Sequence, residues 1–127
     1  MMQEAVLTEK KEESLIKKAL NKVLALKGFE KIRANMEGFE TPARLVRSDS
    51  GDSFIPDITG LKNGTKSYFE IAVKNPKKKA TVSKWKLLSQ LAKLRNGKFY
   101  LLVPRGNYAF VQRLMEKYPI EAQVVKY

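Results

Sequence analysis

The chain has 127 residues, with 25 Lys and Arg against 13 Asp and Glu, a net charge of +12, and neither Cys nor His. Lacking those two residue types, it excludes disulfide frameworks, Cys nucleophiles, Cys-ligated clusters, Ser–His–Asp triads and nearly every zinc site. Catalysis would have to run on carboxylates, lysines, hydroxyls, tyrosines and a hard cation, and the basic balance points to a polyanionic partner, most often nucleic acid.

Residues 1–8 are expected to form a flexible N-terminus and 9–127 a single domain, long enough to bury its own core. No stretch is apolar enough to span a membrane, and the opening MMQEAVLTEKKEE has no apolar signal-peptide core, so the expected compartment is cytoplasmic. The spacing of Leu15, Ile16, Ala19, Leu20, Val23, Leu24 and Leu26 predicts a helix from about Glu9 to Lys27, stopped by Gly28. Glu12 projects to the middle of this apolar stripe and Glu13 lies nearer its edge. An acid there either reaches solvent and favours the helix dipole or serves a site.

Residues 29–47 alternate loosely and read as one or two strands, broken near Gly38 or Pro42. Ser48–Ser53 is a polar turn, too short and wrongly spaced for an EF-hand loop. FIPDITGL and KSYFEIAVK follow as two strands joined through Asn63-Gly64, a strong hairpin signal. The next helix is expected over Thr81–Arg95, with Thr81 or Ser83 as N-cap, Leu87, Leu88, Leu91 and Leu94 on its buried face and Asn96-Gly97 at its end. KFYLLV suits a strand covered on both faces. Asn107–Tyr118 reads as an amphipathic helix stopped by Pro119, and IEAQVVKY as a closing strand. The order αβββαβαβ predicts an α/β (α+β) fold, a central mixed sheet flanked by helices.

The charge is concentrated. From Ile71 to Met115 there is no Asp or Glu, while Lys74, Lys77, Lys78, Lys79, Lys84, Lys86, Lys93, Arg95, Lys98, Arg105 and Arg113 fall in that stretch. A merely solvated face mixes its signs; a segment that excludes carboxylates favours an anion-binding surface.

Two carboxylates stand out in the hairpin. Asp57 follows Pro56 on its first strand; on the second, Glu70 shares a face with Ala72 and Lys74, opposite Phe69, Ile71 and Val73. A Glu within so apolar a strand is costly unless a cation or hydrogen-bonding partner meets it, or unless it faces water. Paired across the hairpin, Asp57 and Glu70 could hold one Mg²⁺.

Pro56-Asp57, twelve intervening residues and Glu70-Ile71-Ala72-Val73-Lys74 resemble the PD-(D/E)xK nuclease superfamily, whose core order αβββαβ also matches over roughly residues 9–105. The resemblance implies a restriction-endonuclease-like fold and a Mg²⁺- or Mn²⁺-dependent nuclease acting on nucleic acid, DNA by default. It implies Asp57 and Glu70 as metal ligands, with Glu12 or Glu13 in the place of the acid that the first helix often adds. The position two after Glu70, where the family carries its lysine, is Ala72. Lys74 is on the same face but about 13 Å along the strand instead of about 7 Å. Lys84 falls on the sheet-facing stripe of the following helix, which supplies this lysine in some members, and Lys66 is a further candidate. Lys77, Lys78, Lys79, Lys86, Lys93, Arg95 and Arg105 are the expected backbone-gripping residues. Ala72 also leaves open an alternative, a nucleic-acid-binding module on the same fold without catalysis. No membrane partner is expected, and a homodimer is the self-association considered.

Overall fold

The computed structural model describes residues 11–47, 49, 51 and 53–127, so the expected flexible N-terminus and part of the Ser48–Ser53 turn lie outside the described residues. Helix α1 (Glu13–Ala25) starts later than its periodicity suggests. Glu12 has extended backbone angles and its carbonyl accepts the N–H groups of Leu15 and Ile16, which makes it the N-cap. The buried stripe is Ile16, Ala19, Leu20 and Val23; Leu24 and Leu26, expected on it, are exposed.

Strand β1 (Glu30–Ala34) enters the main sheet, whereas β2 (Leu45–Val46) and β3 (Ser53–Phe54) pair with each other in a small ribbon. The run FIPDITGL is therefore two elements: its start is β3 and its end is β4 (Ile58–Lys62). Pro56 lacks the N–H that a continuous ladder needs, which favours a break there. Strand β5 (Thr65–Ile71) pairs antiparallel with β4 through Asn63 and Gly64, both at positive φ, as a tight hairpin of this kind requires.

Helix α2 (Lys78–Leu94) then crosses over to β6 (Phe99–Val103), which runs parallel to β5. It begins before Thr81, with Lys77 as its N-cap, and just ahead of it Asn75 Oδ1 accepts the Lys77 N–H at 2.9 Å and the Thr81 hydroxyl at 3.2 Å. Its buried face is Val82, Lys84, Trp85, Leu88 and Ala92, a stripe rotated from the expected leucines, and Leu94 is exposed. After the helix, Asn96 takes the left-handed region and Gly97 follows. A Cβ on Gly97 would sit 1.8 Å from the Lys66 carbonyl oxygen, so only glycine fits where α2 returns to the sheet. Helix α3 (Tyr108–Lys117) and the parallel strand β7 (Gln123–Lys126) complete the chain.

The main sheet has the order β1-β4-β5-β6-β7 and is mixed, giving an α+β fold. One face packs on α1 through Ala34, Ile58, Phe69, Ile71, Tyr100 and Leu102. The other packs on α2 and α3 through Tyr68, Ala72, Phe99, Leu101 and Val103. Every residue of β6 is buried, as a strand covered on both sides must be. Among the described residues no helix is long and apolar enough to cross a membrane.

Candidate active site

Hairpin register sets the centre of the site. Ile58 pairs with Phe69, so the next step outward puts Asp57 across from Glu70 on the α2 face. Both are buried, at 0% and 1% exposure. At this point side chains replace the backbone ladder. The Asp57 N–H donates to Glu70 Oε1 at 2.8 Å, and the Ile71 N–H donates to Asp57 Oδ2 at 2.8 Å.

Among the described residues, two ammonium groups face the pair. Lys84 projects from α2 with its Nζ 2.8 Å from Glu70 Oε2. Lys11, just before α1, places its Nζ 3.1 Å from Asp57 Oδ2 and 3.8 Å from Glu70 Oε2. Burial and the neighbouring Glu70 charge push Asp57 up to about 6, against the opposing pull of Lys11, Lys84 and the Ile71 N–H. Burial also pushes Glu70 upward, but Lys84, Lys11 and the Asp57 N–H together outweigh it and hold the carboxyl below its ordinary value. The two acids, buried side by side, thus carry opposite shifts, an arrangement that occurs at functional sites and in structural ion-pair networks alike.

The structure brings Asp57, Glu70 and Lys84 together and leaves the other site candidates apart. Glu12 is exposed at the α1 N-cap, and Glu13 is on the surface, 3.4 Å from Lys17. Lys74 is exposed beyond the end of β5, where its backbone N–H donates to Asn107 Oδ1 at 2.8 Å. Lys66 lies towards the other end of β5, over the Tyr68 ring at 5.5 Å. Ala72, where the sequence resemblance implies a lysine, is buried in the core under α2.

The basic residues fall into separate groups. Because β5 and β6 are parallel, α2 begins at the end of the sheet that carries Glu70 and finishes at the opposite end. Lys77, Lys78 and Lys79 are exposed at its start, and Lys77 lines the cleft formed by Lys11, Glu70, Lys84 and Trp85. Arg105, after β6, belongs to this same end, since Asn107 bonds to the Lys74 backbone. Lys86 turns toward α3, 5.3 Å from the Tyr118 ring centroid. Lys93 and Arg95 are at the far end of α2, where Lys93 pairs with Glu121 at 3.4 Å.

Sequence reasoning missed Lys11 and Tyr127. Lys11 belongs to a polar run that looks like any solvated helix start; only its position one residue before Glu12 hinted that this region nears the site. Tyr127 donates its hydroxyl to the Leu15 carbonyl at 3.2 Å, and burial together with the Asp57 charge pushes it up to about 12. Nothing in its terminal, polar-flanked setting marked it.

Asp57 and Glu70 offer carboxylate oxygens of the kind a hard cation takes, and Lys11 and Lys84 already neutralise them. Asp57 Oδ1 is buried and has no hydrogen-bond partner among the described residues, an unsatisfied acceptor beside a second carboxylate. Among the described residues no three acidic groups cluster to hold a metal, so the Asp57–Glu70 pair would have to suffice. Mg²⁺ is commonly held by one or two carboxylates with water and substrate phosphate completing its shell. No family model matches the chain, and neither curated proteins nor solved structures show a significant match to it.

Proposed function

We propose that this chain is a metal-dependent nuclease domain on a restriction-endonuclease-like scaffold, binding nucleic acid, DNA by default, and hydrolysing its phosphodiester bonds. The observation that supports it most is the convergence of Asp57, Glu70 and Lys84: two buried acids across a hairpin, with a helix-borne ammonium 2.8 Å from one of them. That is the residue set of a PD-(D/E)xK site with its lysine supplied from α2 instead of from the strand.

In this reading Asp57 and Glu70 hold Mg²⁺ or Mn²⁺. When bound, the ion supplies a hard Lewis acid that offsets charge on the phosphate and makes a water more acidic. Lys84 keeps Glu70 ionised and sets a fixed positive charge beside the reacting phosphate. The Asp57 and Ile71 N–H groups fix both carboxylates, so neither needs to reorganise. Lys77–Lys79 and Arg105, at the same end of the sheet, hold the polyanion against the cleft. A cytoplasmic setting goes with the proposal, where nucleic acid and Mg²⁺ are both at hand.

A second reading, a nucleic-acid-binding module without catalysis, is favoured by one observation: the two acids already face two lysines, so the site is neutral without a metal. A cleavage and binding panel of linear, nicked, flap, junction and single-stranded DNA and RNA with Mg²⁺ or Mn²⁺ separates the two. A nuclease cleaves at least one substrate, and Asp57→Asn stops cleavage while binding persists. Binding without cleavage on every substrate supports the module. No binding at about 50 mM salt removes both readings.

A further inference from the structure

We propose that Lys11 is a tethered stand-in for the divalent cation: its ammonium occupies the mouth of the Asp57–Glu70 pair, and a metal enters only by displacing it. The inference rests on the reading of those two acids as a cation-holding pair and goes beyond it, because no part of the nuclease resemblance involves a lysine ahead of the first helix.

Geometry carries it. The Lys11 Nζ approaches both carboxylates, at 3.1 Å from Asp57 Oδ2 and 3.8 Å from Glu70 Oε2. It is the one ammonium that reaches both of them among the described ion pairs. Charge accounting then requires an exchange. Among the described residues, two acids and two lysines make a neutral site. A divalent ion added to all four would leave two surplus positive charges in a buried space, at a steep cost. Removing one lysine leaves a single surplus charge, which one phosphodiester neutralises.

The structure also indicates which lysine leaves. Lys84 projects from the buried face of α2, is 7% exposed at its side chain and sits 2.8 Å from Glu70. Lys11 stands on non-helical backbone before the α1 cap, is twice as exposed at 14%, and lies farther from the two acids than Lys84 does from Glu70. With no metal, Lys11 satisfies the buried acids and supports the fold. With metal, its side chain swings to solvent. The exchange uncovers the acids when metal and a polyanion arrive together, so metal affinity is expected to rise when nucleic acid is bound.

The test is calorimetric titration of the full chain with Mn²⁺, comparing wild type, Lys11→Met, Lys11→Arg and the double variant Asp57→Asn/Glu70→Gln. The expected result is Mn²⁺ affinity raised about tenfold or more in Lys11→Met, where the apolar stem remains and the competing charge is gone, and unchanged in Lys11→Arg. Equal affinity in wild type and Lys11→Met overturns the inference and leaves the metal-binding pair standing. Mn²⁺ binding no tighter in any form than in the double variant overturns the pair itself, and the inference with it. A measurement on the wild type guards against a Lys11→Met variant that does not fold. Lysine acylation read by mass spectrometry is expected to label Lys11 slowly without Mn²⁺ and faster with it, Lys78 serving as the exposed reference. An unchanged Lys11 rate under saturating Mn²⁺ overturns the exchange.

Discussion

Asp57 and Glu70 are held by each other's strands: the backbone N–H of Asp57 bonds to Glu70 Oε1, and the N–H following Glu70 bonds to Asp57 Oδ2, both at 2.8 Å. Like charges forced together in this way repel. The repulsion is tolerated because each carboxylate also receives an ammonium, and it adds to burial, the larger cause, in raising the pKa of Asp57. Strain of this sort at a buried position is unlike ordinary core packing, where an apolar pair would serve better.

Asp57→Asn is expected to remove Mg²⁺-dependent cleavage, by on the order of 10²-fold or more, without lowering thermal stability. Asparagine keeps an oxygen for the Ile71 N–H and removes a buried charge beside Glu70. Cleavage assays paired with calorimetric melting check both halves; a large fall in Tm would show that the ionised form of Asp57 supports the fold.

Lys84→Met leaves Glu70 buried with its nearest cation gone. Removing one partner of a buried ion pair costs about 3–5 kcal/mol, so urea unfolding should show a loss of that order. Adding Glu70→Gln to Lys84→Met should return a substantial part of it. A loss below about 1 kcal/mol, the range of exposed pairs, would mean the contact is solvent-screened.

The pH dependence has a definite sign. The folded-state pKa of Asp57, about 6, lies above its ordinary 3.8, so between these values the native state binds the extra proton and stability falls as pH rises. Glu70 acts oppositely: its depressed folded-state pKa gives stability present above its ordinary 4.5 and lost as pH falls through the folded value. Urea midpoints should therefore rise from pH 7 to about pH 5, and Asp57→Asn should flatten that rise. Mn²⁺ affinity should move the other way, increasing through pH 6 as Asp57 ionises.

Nucleic-acid affinity should depend on one end of α2. Replacing Lys77, Lys78 and Lys79 with alanine is expected to weaken binding and to reduce the salt slope by about 0.9 for each phosphate left without a neutralising lysine. Lys93→Ala, at the far end and paired with Glu121, should leave both nearly unchanged. Filter binding or fluorescence anisotropy across a salt series distinguishes the two, and an equal effect from Lys93 would place the binding surface elsewhere.

Alternation and turn chemistry made much of this legible. The Asn63-Gly64 turn, the all-buried β6 and the three helices follow from local pattern, and the opposition of Asp57 and Glu70 follows from counting back from the turn. Helix faces were less legible. The leucines of α2 suggested a stripe that includes Leu94, yet the sheet takes Val82, Trp85, Leu88 and Ala92, because packing, not hydrophobicity alone, sets the rotation. Lys84 was found because it kept its helical phase relative to Leu88. Lys11 was not, since its contacts join residues 46 and 59 positions away, and no local periodicity encodes a partner so remote.

The turn at Asn63-Gly64 governs chemistry it never touches. Side chains alternate along a strand, so a one-residue slip in the pairing set there would swing one acid of the duo to the α1 side. The register fixed at this remote tip, five or more positions from either carboxylate, is thus the alignment gauge of the whole assembly.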